Sequence, residues 1–107
     1  MKKVISTTKA PAAIGPYSQA IEANGFVFAT GQIPVDPETG EIPEGIEAQA
    51  EQVMKNMKNL LEAAGTSIDQ VVKTSVFIKN MDDFATINGI YAKYFEKDCP
   101  ARSCVEV

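Results

Sequence analysis

The sequence predicts an α+β sandwich, a mixed β-sheet with two helices packed on one face, and three observations carry that prediction. Two stretches repeat apolar residues at spacings of three and four. The segments between and after them have strand composition and alternate, and Asn24-Gly25 joins two short β-rich runs near the start. The implied order is β-β-β-α-β-α-β. Each helix links two strands, so each connection reads as a crossover between parallel neighbours, with both helices on the same side of the sheet.

Taken in order, residues 3–6 form a short strand, and Pro11, Gly15 and Pro16 mark the loop after it. Residues 18–23 and 26–30 are strands of a hairpin, because Asn24-Gly25 accepts the positive φ of a two-residue type I′ turn. Gly31 ends the second strand, and Asp36-Pro37-Glu38-Thr39-Gly40 is a turn-rich loop. Over residues 46–64, Ile46, Ala50, Val53, Met57, Leu60, Leu61 and Ala64 line one helical face, and Gly65 is placed to end the helix. Residues 71–78 are a strand with Val72, Thr74, Val76 and Ile78 on one face and Lys73, Ser75 and Phe77 on the other. Asp82 then offers an N-cap to a second helix, whose apolar stripe is Phe84, Ile87, Tyr91, Tyr94 and Phe95. After Pro100, residues 101–107 alternate again. Arg102, Cys104 and Glu106 share one face, and Ala101, Ser103, Val105 and Val107 form the face expected to meet the core.

A length of 107 residues fits one domain, 1–107. A domain this small buries only somewhat over 60% of its unfolded surface, so association with further copies would help it. Ten basic against fourteen acidic residues, net charge -4 and spread along the chain, argue against a nucleic-acid footprint. The apolar runs are too short to span a membrane. The basic and apolar start, Met1 to Ile5, is interrupted by Ser6-Thr7-Thr8-Lys9 before a signal-peptide core forms, so the chain reads as cytoplasmic. Cys99 and Cys104 lack the spacing of a zinc or redox motif and read as reduced thiols. Histidine is absent, which removes Ser-His and Cys-His nucleophile systems and the commonest zinc ligand. No glycine pattern suits a P-loop or a dinucleotide fold. Chemistry here must draw on carboxylates, Arg, Lys, Tyr, Cys, hydroxyls or the backbone.

Each candidate has a plain reading beside a functional one. Arg102 is either part of a solvated strand face or a planar fork of donors that grips a carboxylate or phosphate with two hydrogen bonds. Asn88, at the edge of the second helix's apolar stripe, is either a buried amide satisfied by backbone or a group aimed into a cleft. Gly89 beside it costs the helix roughly 1 kcal/mol relative to alanine, which a close approach by backbone or ligand would explain. Tyr17 packs, or lines a pocket with its phenol. Thr30-Gly31 ends a strand, or offers a hydroxyl and a bare amide to a small anion. Cys104 reads as a small apolar residue rather than a nucleophile, because no histidine or helix N-terminus is there to lower its pKa.

The segments Ala10-Pro11-Ala12-Ala13-Ile14-Gly15-Pro16-Tyr17-Ser18-Gln19-Ala20, Gly31-Gln32-Ile33-Pro34 and Pro100-Ala101-Arg102-Ser103-Cys104-Val105-Glu106-Val107 resemble the reactive intermediate deaminase A family, also called RidA or YjgF. Lys73-Thr74-Ser75-Val76-Phe77 and Phe84-Ala85-Thr86-Ile87-Asn88 agree in order and spacing, so the likeness runs over essentially the whole chain. The resemblance implies a chorismate-mutase-like fold and a homotrimer with active sites between subunits. It also implies hydrolytic deamination of 2-imino and enamine acids, such as 2-iminobutanoate and 2-iminopropanoate, to 2-oxo acids and ammonia, with no metal or cofactor. By the same resemblance Arg102 pairs with the substrate carboxylate, and Tyr17, Thr30, Gly31, Asn88 and Cys104 line the pocket. Many members have serine where this chain has Thr30.

Family members continue through a further strand that carries a glutamate proposed to position the attacking water, and the 107 residues end before it. That strand would lie between the one ending near Thr30 and the one at residues 71–78. Glu106 is not a substitute for the glutamate. The implied mechanism has Arg102 fix the carboxylate while a bound water adds to the imine carbon and the carbinolamine expels ammonia. An alternative is a non-catalytic module that binds a keto acid and regulates a partner. A ribonuclease reading, attached to some relatives, is opposed by the acidic balance and the missing histidine.

Overall fold

The computed structural model describes residues 1–107 and places five strands and two helices along them. The strands are β1 (Lys2–Ile5), β2 (Ala20–Ala23), β3 (Phe26–Ala29), β4 (Lys73–Ile78) and β5 (Ala101–Glu106). The helices are α1 (Ile46–Ala63), between β3 and β4, and α2 (Phe84–Tyr94), between β4 and β5. The order matches the one expected from periodicity.

The hairpin forms as its turn chemistry dictates. Asn24 and Gly25 take φ of 54° and 81°, both positive, and β2 and β3 pair antiparallel with Ala23 opposite Phe26. β1 adds antiparallel to the other edge of β2, with Ile5 opposite Ala20. One face of this three-stranded sheet carries Ile5, Ala20 and Val27 onto Leu60 of α1, with Ala10 and Ala64 beside them. The period of two sends Val4, Ile21 and Phe28, which sit in register across the three strands, to the opposite face. Val4 and Phe28 are exposed there, and so is Phe26.

Helix α1 ends as its glycine predicts. Gly65, at φ 83°, donates to Glu62 O and Thr66 donates to Leu61 O, the two bonds of a Schellman motif that satisfy carbonyls at the helix end. Met54, farther up the helix, packs on Ile90 and Phe95 from α2 and its following residue. Strands β4 and β5 pair in parallel around α2, with Thr74 opposite Arg102, Val76 opposite Cys104 and Ile78 opposite Glu106.

Three details differ from the sequence-based expectation. The strands form two sheets, β1-β2-β3 and β4-β5, so only the α2 connection joins paired parallel strands. β3 and β4 each stand at the edge of their own sheet, because neither forms a ladder with the other.

The second difference corrects the facing of the last strand. Thr74, Val76 and Ile78 are the less exposed residues of β4, which fixes the side on which α2 lies. In-register pairing gives β5 the same facing, so Arg102, Cys104 and Glu106 point to the helix side. The face with Ala101, Ser103, Val105 and Val107 is exposed together with Phe77.

The third corrects the helix cap. A 3-10 turn at Met81–Asp83 precedes α2, and Asn80 caps it by accepting from the Asp82 amide at 3.0 Å. Asp82 is thus a donor to the cap and does not provide it. Glu106 supplies a further anion at this turn, accepting from the Met81 amide at 2.6 Å.

Candidate functional site

Arg102 stands on the helix-facing side of β5, and α2 gives it a seat. Phe84, Asn88 and Tyr91 follow one another at spacings of four and three, so they share one face of the helix. The guanidinium carbon lies 4.8 Å from the centroid of the Tyr91 ring and 5.4 Å from that of Phe84. These are cation–π distances, since both fall within about 6 Å. Nη1 donates to Asn88 Oδ1 at 2.7 Å. The Tyr91 hydroxyl is tied in turn to Thr74 Oγ1 at 2.7 Å, and Thr74 is the residue paired with Arg102 across the parallel ladder.

No carboxylate neutralises this guanidinium. The single ion pair of the chain joins Lys93 to Glu51 at 3.4 Å. Glu106, two places beyond Cys104 on the same face, is committed to the Met81 amide. A guanidinium has five N–H donors, and the only hydrogen bond this one makes with the protein is to Asn88. The residue is exposed, so the remaining donors open to solvent. Cys104 is half-buried on the same strand face. The arrangement is a cation held from beneath by neutral groups, able to present a fork to a planar anion.

Tyr17, Thr30 and Gly31 lie elsewhere, Tyr17 in the loop before β2 and Thr30-Gly31 just after β3. Gly15, at φ 123°, accepts from the Tyr17 amide, and the Tyr17 hydroxyl accepts from the Ile14 amide at 3.1 Å. The ring is about half exposed. Thr30 is bound twice to Gln19 O, through its amide at 3.0 Å and its hydroxyl at 3.1 Å. Gln32 Nε2 reaches Thr30 O and Oγ1 at 3.3 and 3.4 Å, while its Oε1 is buried without a hydrogen-bond partner. No hydrogen bond joins this group to the Arg102 group. The structure therefore brings Arg102, Asn88 and Cys104 onto one β-α-β unit and Tyr17, Thr30 and Gly31 onto another segment.

Buried amides that the sequence did not single out hold both segments in shape. Gln19, 5% exposed, accepts from the Thr7 amide and donates to Thr7 O and Pro11 O, which pins the loop leading to Tyr17. Asn56 of α1, fully buried, donates to Ile33 O and Val35 O at 3.0 and 2.9 Å and anchors the loop that follows Gly31. Phe84 and Tyr91 were legible only as core stripe. Their flanking of Asn88 at four and three was the available signal.

Two groups with displaced pKa values, Tyr94 and Glu51, meet between the helices. Burial first, and then the hydrogen bond to Glu51, push the Tyr94 phenol up to about 12. That same bond, 2.6 Å long, holds the Glu51 carboxyl below its ordinary value. Surface hollows near Glu44 and Thr86, and near Lys58 and Lys93, include none of the candidate residues. No set of three His, Cys, Asp or Glu side chains is gathered as a metal cage. No helix is long and apolar enough to cross a membrane.

Comparison with known proteins places this geometry. The profile of the family described as Endoribonuclease L-PSP matches residues 7–107. A RutC family protein of Pyrococcus horikoshii is 56% identical over 108 residues, which cover 100% of this chain and 86% of that protein. The 2-iminobutanoate/2-iminopropanoate deaminase of Salmonella typhimurium is 50% identical over 110 residues, again covering 100% and 86%. The crystal structure of E. coli TdcF with bound serine superimposes with a TM-score of 0.94 at 46% identity, covering 98% of this chain and 85% of that one. The fold is thus the chorismate-mutase-like sandwich of these proteins. With a family match over nearly its whole length and about half its residues shared with a named imino-acid deaminase, this chain belongs to the Endoribonuclease L-PSP family, the RidA family whose motifs it carries.

Proposed function

We propose that this chain hydrolyses 2-imino acids, 2-iminobutanoate and 2-iminopropanoate among them, to 2-oxo acids and ammonia, with Arg102 as the carboxylate anchor. The observation that carries the reading is the seat of Arg102: an arginine held by an amide and two aromatic rings, with no carboxylate partner. A substrate carboxylate completes it with two parallel charge-assisted hydrogen bonds. The bound serine of TdcF and the name of the Salmonella relative favour a small carboxylate of this kind.

Asn88 orients the fork, and Cys104 contributes a small, weakly polar wall beside it. Tyr17, Thr30 and Gly31 line the other side of the pocket, supplied by a neighbouring copy in a homotrimer. The exposed apolar residues Val4, Phe28, Phe77 and Val105 support association, since a domain of this size gains from burying them. Thr30 spends its hydroxyl proton on Gln19 O and accepts a long bond from Gln32 Nε2, so only one lone pair of its oxygen remains to accept from water.

The reaction follows from positioning. The carboxylate fixes the planar C=N carbon, a water oxygen bonds to that carbon, and the imine nitrogen takes a proton. The carbinolamine then breaks its C–N bond as its hydroxyl proton passes to the leaving nitrogen, which departs as ammonia and leaves the ketone. No covalent enzyme intermediate and no electron transfer are required. The test is a coupled assay in which a threonine dehydratase generates 2-iminobutanoate while semicarbazide competes for it, and release of 2-oxobutanoate is followed. Faster release with this protein is expected. Binding of 2-oxobutanoate without any acceleration would replace the enzyme reading with that of a keto-acid-binding module.

A further inference from the structure

The Arg102 seat contains a contact that the anchoring role does not use, the hydroxyl pair between Thr74 and Tyr91. We infer that Tyr91 is a positioning residue for the carboxylate anchor, its ring locked beneath the Arg102 guanidinium by the hydroxyl of Thr74. The inference rests on the proposed function and assigns to that site two residues that do not touch substrate.

The geometry closes a triangle across the β-α-β unit. Thr74 comes from β4, Tyr91 from α2 and Arg102 from β5, so each element contributes one corner. Thr74 and Arg102 are direct ladder partners on the same sheet face. The Tyr91 ring meets both, with its hydroxyl on Thr74 at 2.7 Å and its face 4.8 Å from the guanidinium carbon. A phenylalanine at this place would keep the cation–π surface, but its ring could slide along the helix face. The short hydroxyl bond fixes the ring against β4, the strand that β5 is paired with, so the support under Arg102 moves with the backbone that carries Arg102.

That matters because arginine is rich in rotamers. Immobilising such a side chain when a ligand binds costs about 0.5–1.5 kcal/mol, roughly two- to tenfold in affinity, and a seat formed beforehand avoids the cost. Asn88 fixes one nitrogen in the guanidinium plane, and the aromatic faces fix the plane itself. One bond and two ring faces leave the other donors open to solvent, since the residue is exposed. Without the Thr74 tether the plane can tilt, and the fork meets the carboxylate with one good bond instead of two.

The test measures 2-oxobutanoate affinity by calorimetry and imine turnover by the semicarbazide assay, on the full chain at one protein concentration. Thr74→Val and Tyr91→Phe should each weaken 2-oxobutanoate binding roughly three- to tenfold. The double variant should lose no more than either alone, because both remove the same contact. The turnover loss should appear in KM and not in kcat, since the carboxylate is held alike before and during water addition. Thr74→Ser keeps the hydroxyl and should keep the affinity.

Tyr94→Phe is the control for stability alone. It surrenders an equally short tyrosine bond on the same helix, to Glu51 at 2.6 Å, and should leave 2-oxobutanoate binding unchanged. Unaltered affinity in Thr74→Val and Tyr91→Phe would overturn the inference. So would additive losses, failure of Thr74→Ser, or an equal loss in Tyr94→Phe. A wild-type protein that neither binds 2-oxobutanoate nor speeds imine hydrolysis would remove the proposed function and this inference together. Intact wild-type binding with indifferent variants removes this inference only.

Discussion

Replacing Asn56 with alanine should loosen the loop after Gly31 more than any surface change could. The side chain is fully buried on α1 and donates to Ile33 O and Val35 O, more than twenty residues back along the chain. It also accepts from Gln52 at 2.9 Å, one helical turn earlier. The two long-range bonds are worth about 0.5–1.5 kcal/mol each, so Asn56→Ala should cost roughly 1–3 kcal/mol. For a chain of about this size each kcal/mol lowers Tm by about 4–8 °C, which predicts a fall of roughly 5–20 °C in thermal unfolding at fixed protein concentration. Imine turnover should fall too, because Thr30 and Gly31 lead directly into the released loop. Asn59→Ala, which removes a single exposed bond to Lys9 O, should cost less than half as much. A Tm for Asn56→Ala within about 2 °C of wild type, far below that range, would show that the loop is held by something other than this amide.

Arg102→Lys should keep the fold and lose roughly ten- to a hundredfold in kcat/KM in the imine assay, since a point charge replaces a fork and gives up one charged hydrogen bond of about 1.5–3 kcal/mol. Arg102→Ala should lose more; full activity in the lysine variant would remove the anchor role, and unfolding of the alanine variant would favour a structural one. The native protein should sediment as a trimer at micromolar concentration, and Phe28→Glu on the exposed sheet face should shift it toward monomer and lower turnover. Folding holds the Tyr94 proton to about pH 12 while the unfolded chain releases it near 10, so this contribution to stability is whole below pH 10 and declines as pH rises toward 12. Urea unfolding over that window should show the decline in wild type and a shallower one in Tyr94→Phe. Glu51 acts in the opposite sense: its lowered pKa contributes stability above the ordinary 4.5, which is lost as pH falls through the folded value.

The elements were legible because their signals are local. Asn24-Gly25 turns where its φ preference demands, and Gly65 ends α1 with the Schellman bonds that a glycine there permits. The facing of β5 was not legible. Alternation divides a strand into two faces without saying which meets the helix, and here the pairing of Thr74 with Arg102 outweighed the apolar character of Val105 and Val107. Asp82 and Asn80 compete for one cap, and the extra 3-10 turn moved the choice two residues back. Among the site candidates, Asn88 and Arg102 meet as their placement on facing elements allows. The polar roles of Gln19, Asn56 and the Tyr91 hydroxyl were not legible, because their partners are backbone carbonyls or side chains brought close only by the fold.

Helix α1 alone contributes to both apolar clusters, Leu60 to the one under the hairpin and Met54 to the one under α2. It is therefore the ruler between two pieces that could each keep their own shape. Met54 and Leu60 stand about 9 Å apart along the axis at 1.5 Å per residue, and one inserted residue between them would rotate one contact against the other by about 100°. Such an insertion would leave the hairpin with Thr30 and the unit with Arg102 intact and well packed within themselves. Their mutual angle would be wrong. The phase of a single helix thus sets the alignment of two segments that share no hydrogen bond, and chain length inside α1 is under a tighter constraint than the identity of its solvent-facing residues.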